Sequence, residues 1–285
     1  WAALLRGAEP LPVPEGQPAA ESAAPAQVAV PLAPLGTARA AAAVCAAFLA
    51  RHSARAEFAV GWQNTETAPL LAATSAFAVV APPLPLQFDF AAPVAEALAA
   101  AERQLAAAPG PLLRDLVVRR SDVLPWNVVL EPAVRIWAGP GAPPVAAGSL
   151  TFAVAADGAV VLHFDGHSLP AARATAVAQR LAVFARAAAA QPQQALRQVP
   201  ILDDAELQRL IHAWNETDTA PAVEPCVHRQ FLAQAAATPT AVALVVGDER
   251  LDYAQLQRRV DHLAGWLRQR GVGRGDRVGL CTQRG

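Results

Sequence analysis

Two hydrophobic periods alternate along this chain, and each stretch takes the element its period allows. TARAAAAVCAAFLARHSA, Thr37 to Ala54, has high helix propensity, with Val44, Phe48 and Leu49 as its larger apolar contacts, which predicts a helix. EFAVGW (57–62) and FAVVAPPLPLQF (77–88) read as strands, the second broken by Pro82, Pro83 and Pro85 and so suited to a sheet edge. A helix from Pro93 to Ala108 stops at Pro109 and Gly110. NVVLE (127–131) and VRIW (134–137) suggest further strands. LTFAVAADGAVVLHFD (150–165) reads as a hairpin through Ala156-Asp157-Gly158, where Gly tolerates the positive φ of a tight turn. Ser168 is placed as the cap of a long helix, 169–190, whose Val177, Leu181 and Phe184 recur at helical spacing. Asp203 with Glu206 opens AELQRLIHAW as a capping-box-like start.

After residue 225 the pattern restarts. A helix (VHRQFLAQAAA), a strand (241–246), a turn at Gly247 to Arg250 and a short LDY segment precede an amphipathic helix, 254–270, striped by Leu256, Val260, Leu263 and Leu267. Gly271 ends that helix and RVGLC (277–281) is predicted as another strand, so the last residues look like the opening of a new α/β domain. Pro10, Pro12, Pro14, Pro18, Pro25, Pro31 and Pro34 remove backbone donors, and residues 8–35 are therefore expected as an extended linker. Residues 191–202 and 215–225 are two more linkers, which leaves 1–202 as an α/β or α+β layer structure.

Composition narrows the chemistry. Of the 285 residues, 54% are hydrophobic and 16% charged, against a usual charged share of about 25%, which excludes a highly charged disordered chain. All 23 basic residues are Arg; without Lys there is no GxxxxGK[ST] phosphate loop and no Schiff base to pyridoxal phosphate. A net charge of −1 gives no overall field for nucleic acid or anionic lipid. Cys45, Cys226 and Cys281 form no CxxC pair, against a disulfide framework or a structural zinc site, and point to the cytoplasm. No apolar run approaches the roughly 18 to 20 residues of a membrane span. The chain has no Met and starts at Trp1, so it is expected to be an internal piece of a longer polypeptide.

Several short patterns invite a chemical reading beside a plain one. His163, Asp165 and His167 at alternate positions could converge on a metal, or form the solvent face of a strand whose Val160, Leu162 and Phe164 point inward. GHSLP (166–170) stands where a nucleophile elbow would place Ser168, with Asp203 or Asp204 and His212 in triad order. Pro170 replaces the second Gly, however, and capping is an ordinary role for Ser168. GVGRG (271–275) follows a helix instead of opening one, which makes Gly271 a helix stop and not a dinucleotide loop. Arg258, Arg259, Arg268, Arg270, Arg274 and Arg277 read as a solvated face with no aromatic platform interleaved.

Residues 199–280 resemble the junction between a condensation and an adenylation domain of nonribosomal peptide synthetases. The features are the P-I-L-x-x-A-E start, Trp214-Asn215-x-Thr217, His228-x-x-Phe231, Thr238-Pro239, Leu251-x-Tyr253-x-x-Leu256, Gly271-Val272 and Gly275-Asp276-x-Val278. Residues 1–198 are similar to the C-terminal half of a condensation domain, of chloramphenicol-acetyltransferase-like fold, through the helix before FAVGW and the hairpin and helix at 150–190. SAFAVVAPPLP stands where that family carries G-x-F-V-N-T, and AAPGPLLRD where it carries H-Q-D-x-P-F-E. The resemblance implies an extended inter-subdomain linker (1–35), a condensation C-terminal subdomain (36–198), a condensation–adenylation linker (199–224) and the start of an AMP-forming ligase fold (225–285).

It also implies a parent that activates an amino acid with ATP and Mg as an aminoacyl adenylate, loads it on a carrier-domain phosphopantetheine, and joins two carrier-bound groups by an amide bond. The family's HHxxxDG motif, whose second His handles the proton of the attacking amine, has no counterpart here, since no two His are adjacent. The fragment alone is therefore expected to bind none of these cofactors and to be inactive. Its partners are expected to be carrier domains and the rest of the same cytoplasmic chain, with no nucleic acid and no membrane. A non-catalytic docking platform is the alternative, distinguished by loss of HHxxxDG upstream; a serine hydrolase using Ser168 is a more distant one.

Overall fold

Alanine decides the centre of the first unit. Helix α2, Ala38–Ser53, follows a four-residue turn of helix α1 (Ala2–Leu5) and strand β1 (Pro25–Ala29), and buries Ala41, Ala42, Ala46, Ala47 and Ala50 completely. Methyl side chains let other elements approach it closely on several sides, which larger residues would prevent. Thr37 caps it, its hydroxyl accepting from the Ala40 N–H at 3.2 Å, and Ala54 ends it with a left-handed φ of 55°.

The computed structural model describes residues 1–5, 9–14, 16, 23–64, 78–115, 130–139, 141–218 and 226–281, and divides into two units, Trp1–Trp214 and Asn215–Gly285. In the first, β1 is joined by β2 (Glu57–Asn64), β3 (Pro83–Gln87), β4 (Val134–Ala138), β5 (Leu150–Val154) and β6 (Val160–Asp165) in one sheet of order β1-β6-β5-β4-β2-β3. β2, β4 and β5 run parallel, and the remaining pairings are antiparallel. Helices α3 (Val94–Ala106) and α4 (Ala171–Ala190) share one core with α2, to which the sheet presents Phe58, Val60, Ile136, Phe152, Leu162 and Phe164. Phe48 of α2 lies 6.3 Å from Phe152 and 6.0 Å from Phe184 of α4, tying sheet and helices together. Each such buried ring contributes about 1.5–3 kcal/mol. Among the described residues no helix is long and apolar enough to cross a membrane.

The hairpin, the Ala-rich helix and the edge character of the proline-rich strand are as the pattern predicts. Gly158 turns the β5–β6 hairpin at φ 86°, and β3 closes one edge of the sheet. In this unit three readings differ, and a fourth lies mostly outside the described residues. Part of the expected linker is sheet, because Pro25 to Ala29 pair with Asp165 to Val161. Only Pro83–Gln87 of the stretch 77–88 forms a strand, Phe77 lying outside the described residues. Of 127–131 only Leu130 and Glu131 are described, and they form a bend. Finally, α4 begins at Ala171 with Pro170 in the cap position, so Ser168 does not cap it.

Helix α5 (Asp204–Ile211) completes the unit. Asp203 accepts from the Glu206 N–H at 2.7 Å, while the Glu206 carboxylate turns away to Arg180 of α4 at 2.6 Å instead of closing the box. The second unit consists of α6 (Val227–Ala237), a two-stranded sheet of β7 (Val242–Val246) and β8 (Glu249–Asp252), and α7 (Tyr253–Gln269). Asp252 and Gln255 form a full capping box at the start of α7. RVGLC forms no strand among the described residues, since neither β7 nor β8 pairs with it.

Candidate functional site

The face of the sheet away from the helices carries a polar row between apolar neighbours. Register lines up Gly61, Arg135, Thr151, His163 and Gln27 as one transverse row across β2, β4, β5, β6 and β1. Arg135 is 6% exposed and donates through Nε to the Pro132 carbonyl at 3.0 Å and through Nη1 to that of Pro144 at 3.4 Å. Burial pushes its pKa down, with Glu131 pulling the other way. Its stem crosses Gly61, where a Cβ would stand 2.9 Å from Arg135 Cγ and 3.0 Å from the Ala81 oxygen, so the row needs glycine there.

Two residues further along β4, Trp137 lines a cavity of about 580 Å³ together with Gly139, Pro143, Ala153, Val161 and His163. Trp137 is 9% exposed, and among the described residues its buried indole Nε1 has no hydrogen-bond partner, nor has the buried hydroxyl of Thr151. Burial lowers the pKa of His163, which favours the neutral ring. No hydrophobic period along the chain announces this cavity. Its sequence signal is a Trp two residues before the first Gly of the loop that walls it.

At the end of β6, Asp165 is fully buried and gathers four donors. Oδ1 accepts from the Ala24 N–H at 2.8 Å and the His167 N–H at 3.1 Å; Oδ2 accepts from the Gly148 N–H at 2.8 Å and the Ser168 hydroxyl at 2.7 Å. Burial alone would raise its pKa, but the Gly148, Ala24, Ser168 and His167 donors hold it well below the usual carboxylate range. This arrangement takes Asp165 off the solvent face expected for it and answers two chemical alternatives. Asp165 is saturated by donors and serves no metal with His163 and His167; among the described residues no group of three His, Cys, Asp or Glu could hold one. Ser168 is buried and donates to Asp165, so it is no exposed nucleophile and the hydrolase alternative lacks its geometry.

In the second unit the motif residues build turns and caps. The rings of Phe231 and Tyr253 lie 6.2 Å apart, the Pro239 carbonyl accepts from the Ala254 N–H at 2.9 Å, and Leu251 is buried, with Leu256 one turn into α7. Gly271 has φ 86° and donates to Arg268 while Val272 donates to Leu267, the paired bonds of a helix stop. Gly275 has φ 92°, and Asp276 accepts from the Gly273 N–H at 2.7 Å. His228 is exposed, as is Trp214 at 67%, and the Thr217 N–H donates to the Asn215 carbonyl at 2.8 Å. The arginine face is not free of aromatics: Arg270 stacks over Trp266 at 3.7 Å, and Arg259 pairs with Glu249 at 2.6 Å.

Residues 231–285 match the family of AMP-binding enzymes. The chain is 37% identical over 95 residues to one component of the linear gramicidin synthase of Brevibacillus parabrevis, covering 33% of this chain and 2% of that protein. It is 45% identical over 83 residues to another component of the same synthase, covering 29% and 2%. Malpibaldin synthetase of Mortierella alpina is 40% identical over 93 residues, 33% of this chain and 2% of that one. The chain thus spans about 2% of the length of these relatives. In fold it is similar to a holo four-domain nonribosomal peptide synthetase bound to AMP and glycine, at TM-score 0.58 and 13% identity, over 97% of this chain and 25% of that one. It is also similar to the AMPPNP-bound nonribosomal peptide synthetase FmoA3, at TM-score 0.52 and 19% identity, over 97% and 33%.

Proposed function

We propose that the chain is a stretch of a nonribosomal peptide synthetase, a condensation-like body followed by the start of an AMP-binding body, and that it works inside a cytoplasmic multidomain enzyme that activates an amino acid with ATP and joins carrier-bound groups by an amide bond; the AMP-binding family match, the synthetase relatives and the synthetase folds support this reading. Residues 36–198 serve as the C-terminal subdomain of the condensation unit, 199–224 as the linker and 225–285 as the opening of the adenylation domain, with 1–35 as the approach from the preceding subdomain. The observation that carries this reading is the order of the two bodies in one chain, with the motif from Trp214 to Asp276 starting at their boundary. Carrier domains bearing phosphopantetheine are the partners.

Among the described residues the glycine turns and the donor set do not fit ATP or Mg. Gly271 and Gly275 serve turns, and the donor set among the described residues offers no cluster for a divalent ion. What the chain's own residues do is positional: Asp165 fixes the corner between β6 and α4, Arg135 fixes the 141–149 loop over the sheet, and Asp252 starts α7. Amino-acid-dependent exchange between pyrophosphate and ATP is expected from the longer synthetase containing this stretch and not from the 285-residue chain. Exchange by the 285-residue chain alone would refute this assignment of roles.

A further inference from the structure

Along β6, Val160, Leu162 and Phe164 enter the core, so Val161 and His163 emerge on the opposite face of the sheet, and both line the cavity beside Trp137. Register sets Trp137, Ala153 and Val161 side by side across β4, β5 and β6. Ala153, a single methyl between two larger side chains, leaves room above the sheet, and Gly139 and Pro143 wall it. Among the described residues no charged side chain lines this space. Its volume of about 580 Å³ falls within the roughly 300–1,000 Å³ of small-molecule pockets.

His163 is the polar group within reach of that space. It is half-buried, its ring makes no hydrogen bond or ion pair among the described residues, and its nitrogens keep accessible surface, unlike the covered Nε1 of Trp137. Its cross-strand neighbours, Thr151 on β5 and Gln27 on β1, bring no charge. Asp165, next on the same face of β6, is engaged with its four donors. A neutral imidazole offers one acceptor nitrogen and one N–H. We infer that this cavity is a binding site for an uncharged, mostly apolar small molecule bearing one hydroxyl group, which donates to the acceptor nitrogen of His163 while its apolar body lies against Trp137, Ala153 and Val161. An anion would meet no cation in this wall, and a cation no carboxylate. The inference rests on these residues and not on the synthetase reading.

The test uses the 285-residue chain slightly above neutral pH and follows the His163 ring C–H and the Ala153 and Val161 methyl resonances by NMR, His163 being identified by its loss in His163→Leu. Three probes share one ring system: 2-naphthol, naphthalene and 2-naphthoate. Naphthol is expected to shift His163 and both residues' methyl groups in a saturable manner. Naphthalene, which gives the imidazole nothing to accept, should bind about fivefold to tenfold more weakly, and naphthoate at least about tenfold more weakly. His163→Leu should lower naphthol affinity to the naphthalene level. Ala153→Leu, which fills the space between Trp137 and Val161, should weaken naphthol and naphthalene alike by at least about tenfold. Resonances unmoved by millimolar naphthol, naphthalene or naphthoate binding as well as naphthol, or unchanged naphthol affinity in either variant would each overturn the assignment. Should a variant fail to fold, the comparison of the three probes on the wild-type chain decides by itself. The titration reads no adenylation or peptide synthesis, so its failure leaves the synthetase reading standing, and pyrophosphate exchange by the short chain would leave this one standing.

Discussion

Replacing Asp165 by Asn changes almost no volume and removes the charge to which four donors point. The amide keeps one acceptor oxygen and sets an NH₂ against either the Ala24 and His167 N–H groups or the Gly148 N–H and the Ser168 hydroxyl. The second orientation is the better one, since the Ser168 hydroxyl can rotate to accept; it still leaves the Gly148 N–H facing a donor and weakens the two bonds to Ala24 and His167. With hydrogen bonds to a charged group worth about 1.5–3 kcal/mol and a buried donor left unpaired costing about 1–3 kcal/mol, Asp165→Asn should destabilise the first unit by about 2–4 kcal/mol at neutral pH. The pKa is depressed in the folded state, so this contribution is complete above the unfolded value of about 3.9 and declines as pH falls below it toward the folded value. Urea unfolding followed by circular dichroism from pH 7 to pH 3 reads both effects. The wild type should lose stability steeply below about pH 4, and the variant should start lower and lose less. A variant within about 0.5 kcal/mol of the wild type at pH 7, or one with the same acid slope, would refute the donor-saturated carboxylate.

Gly61→Ala should lower stability by about 1–3 kcal/mol, seen as a drop in Tm, because the new methyl meets Arg135 Cγ at 2.9 Å and the backbone oxygen of Ala81 at 3.0 Å; an unchanged Tm would show that Arg135 moves aside freely. Cys45 is fully buried and its thiol is pushed up to about 12 by burial, only partly opposed by a backbone hydrogen bond. Iodoacetamide at pH 8 should therefore modify the exposed Cys281 in the native chain and reach Cys45 only after unfolding, with peptide mass spectrometry as the readout.

How much of this is legible in the residues follows from the range of the forces involved. The Ala-rich helix, the hairpin at Gly158 and the stripe of α7 depend on neighbours within a few positions, and the pattern reports them. β1 escapes it because its strand character comes from β6, some 140 residues away, and not from its own proline-flanked sequence. RVGLC departs from expectation for the opposite reason: its apolar residues suit a strand, yet neither β7 nor β8 offers it an edge. Ser168 reads as a cap from its place before a helix, whereas the buried Asp165 carboxylate is the stronger acceptor and draws the hydroxyl away. The polar row and the Trp137 cavity depend on register across four strand pairs, which no local period contains.

The pairing of Pro25 with Asp165 also sets a timetable for biosynthesis. At about 5–20 residues per second, a ribosome needs roughly 7–28 s to travel from one partner to the other, and the sheet cannot close in that time. Meanwhile the alanine-faced α2 has left the exit tunnel with no sheet or α4 to cover it. A nascent chain of this kind is a natural client for ribosome-associated chaperones, and synonymous codons that slow translation between β1 and β6 would lengthen its exposure.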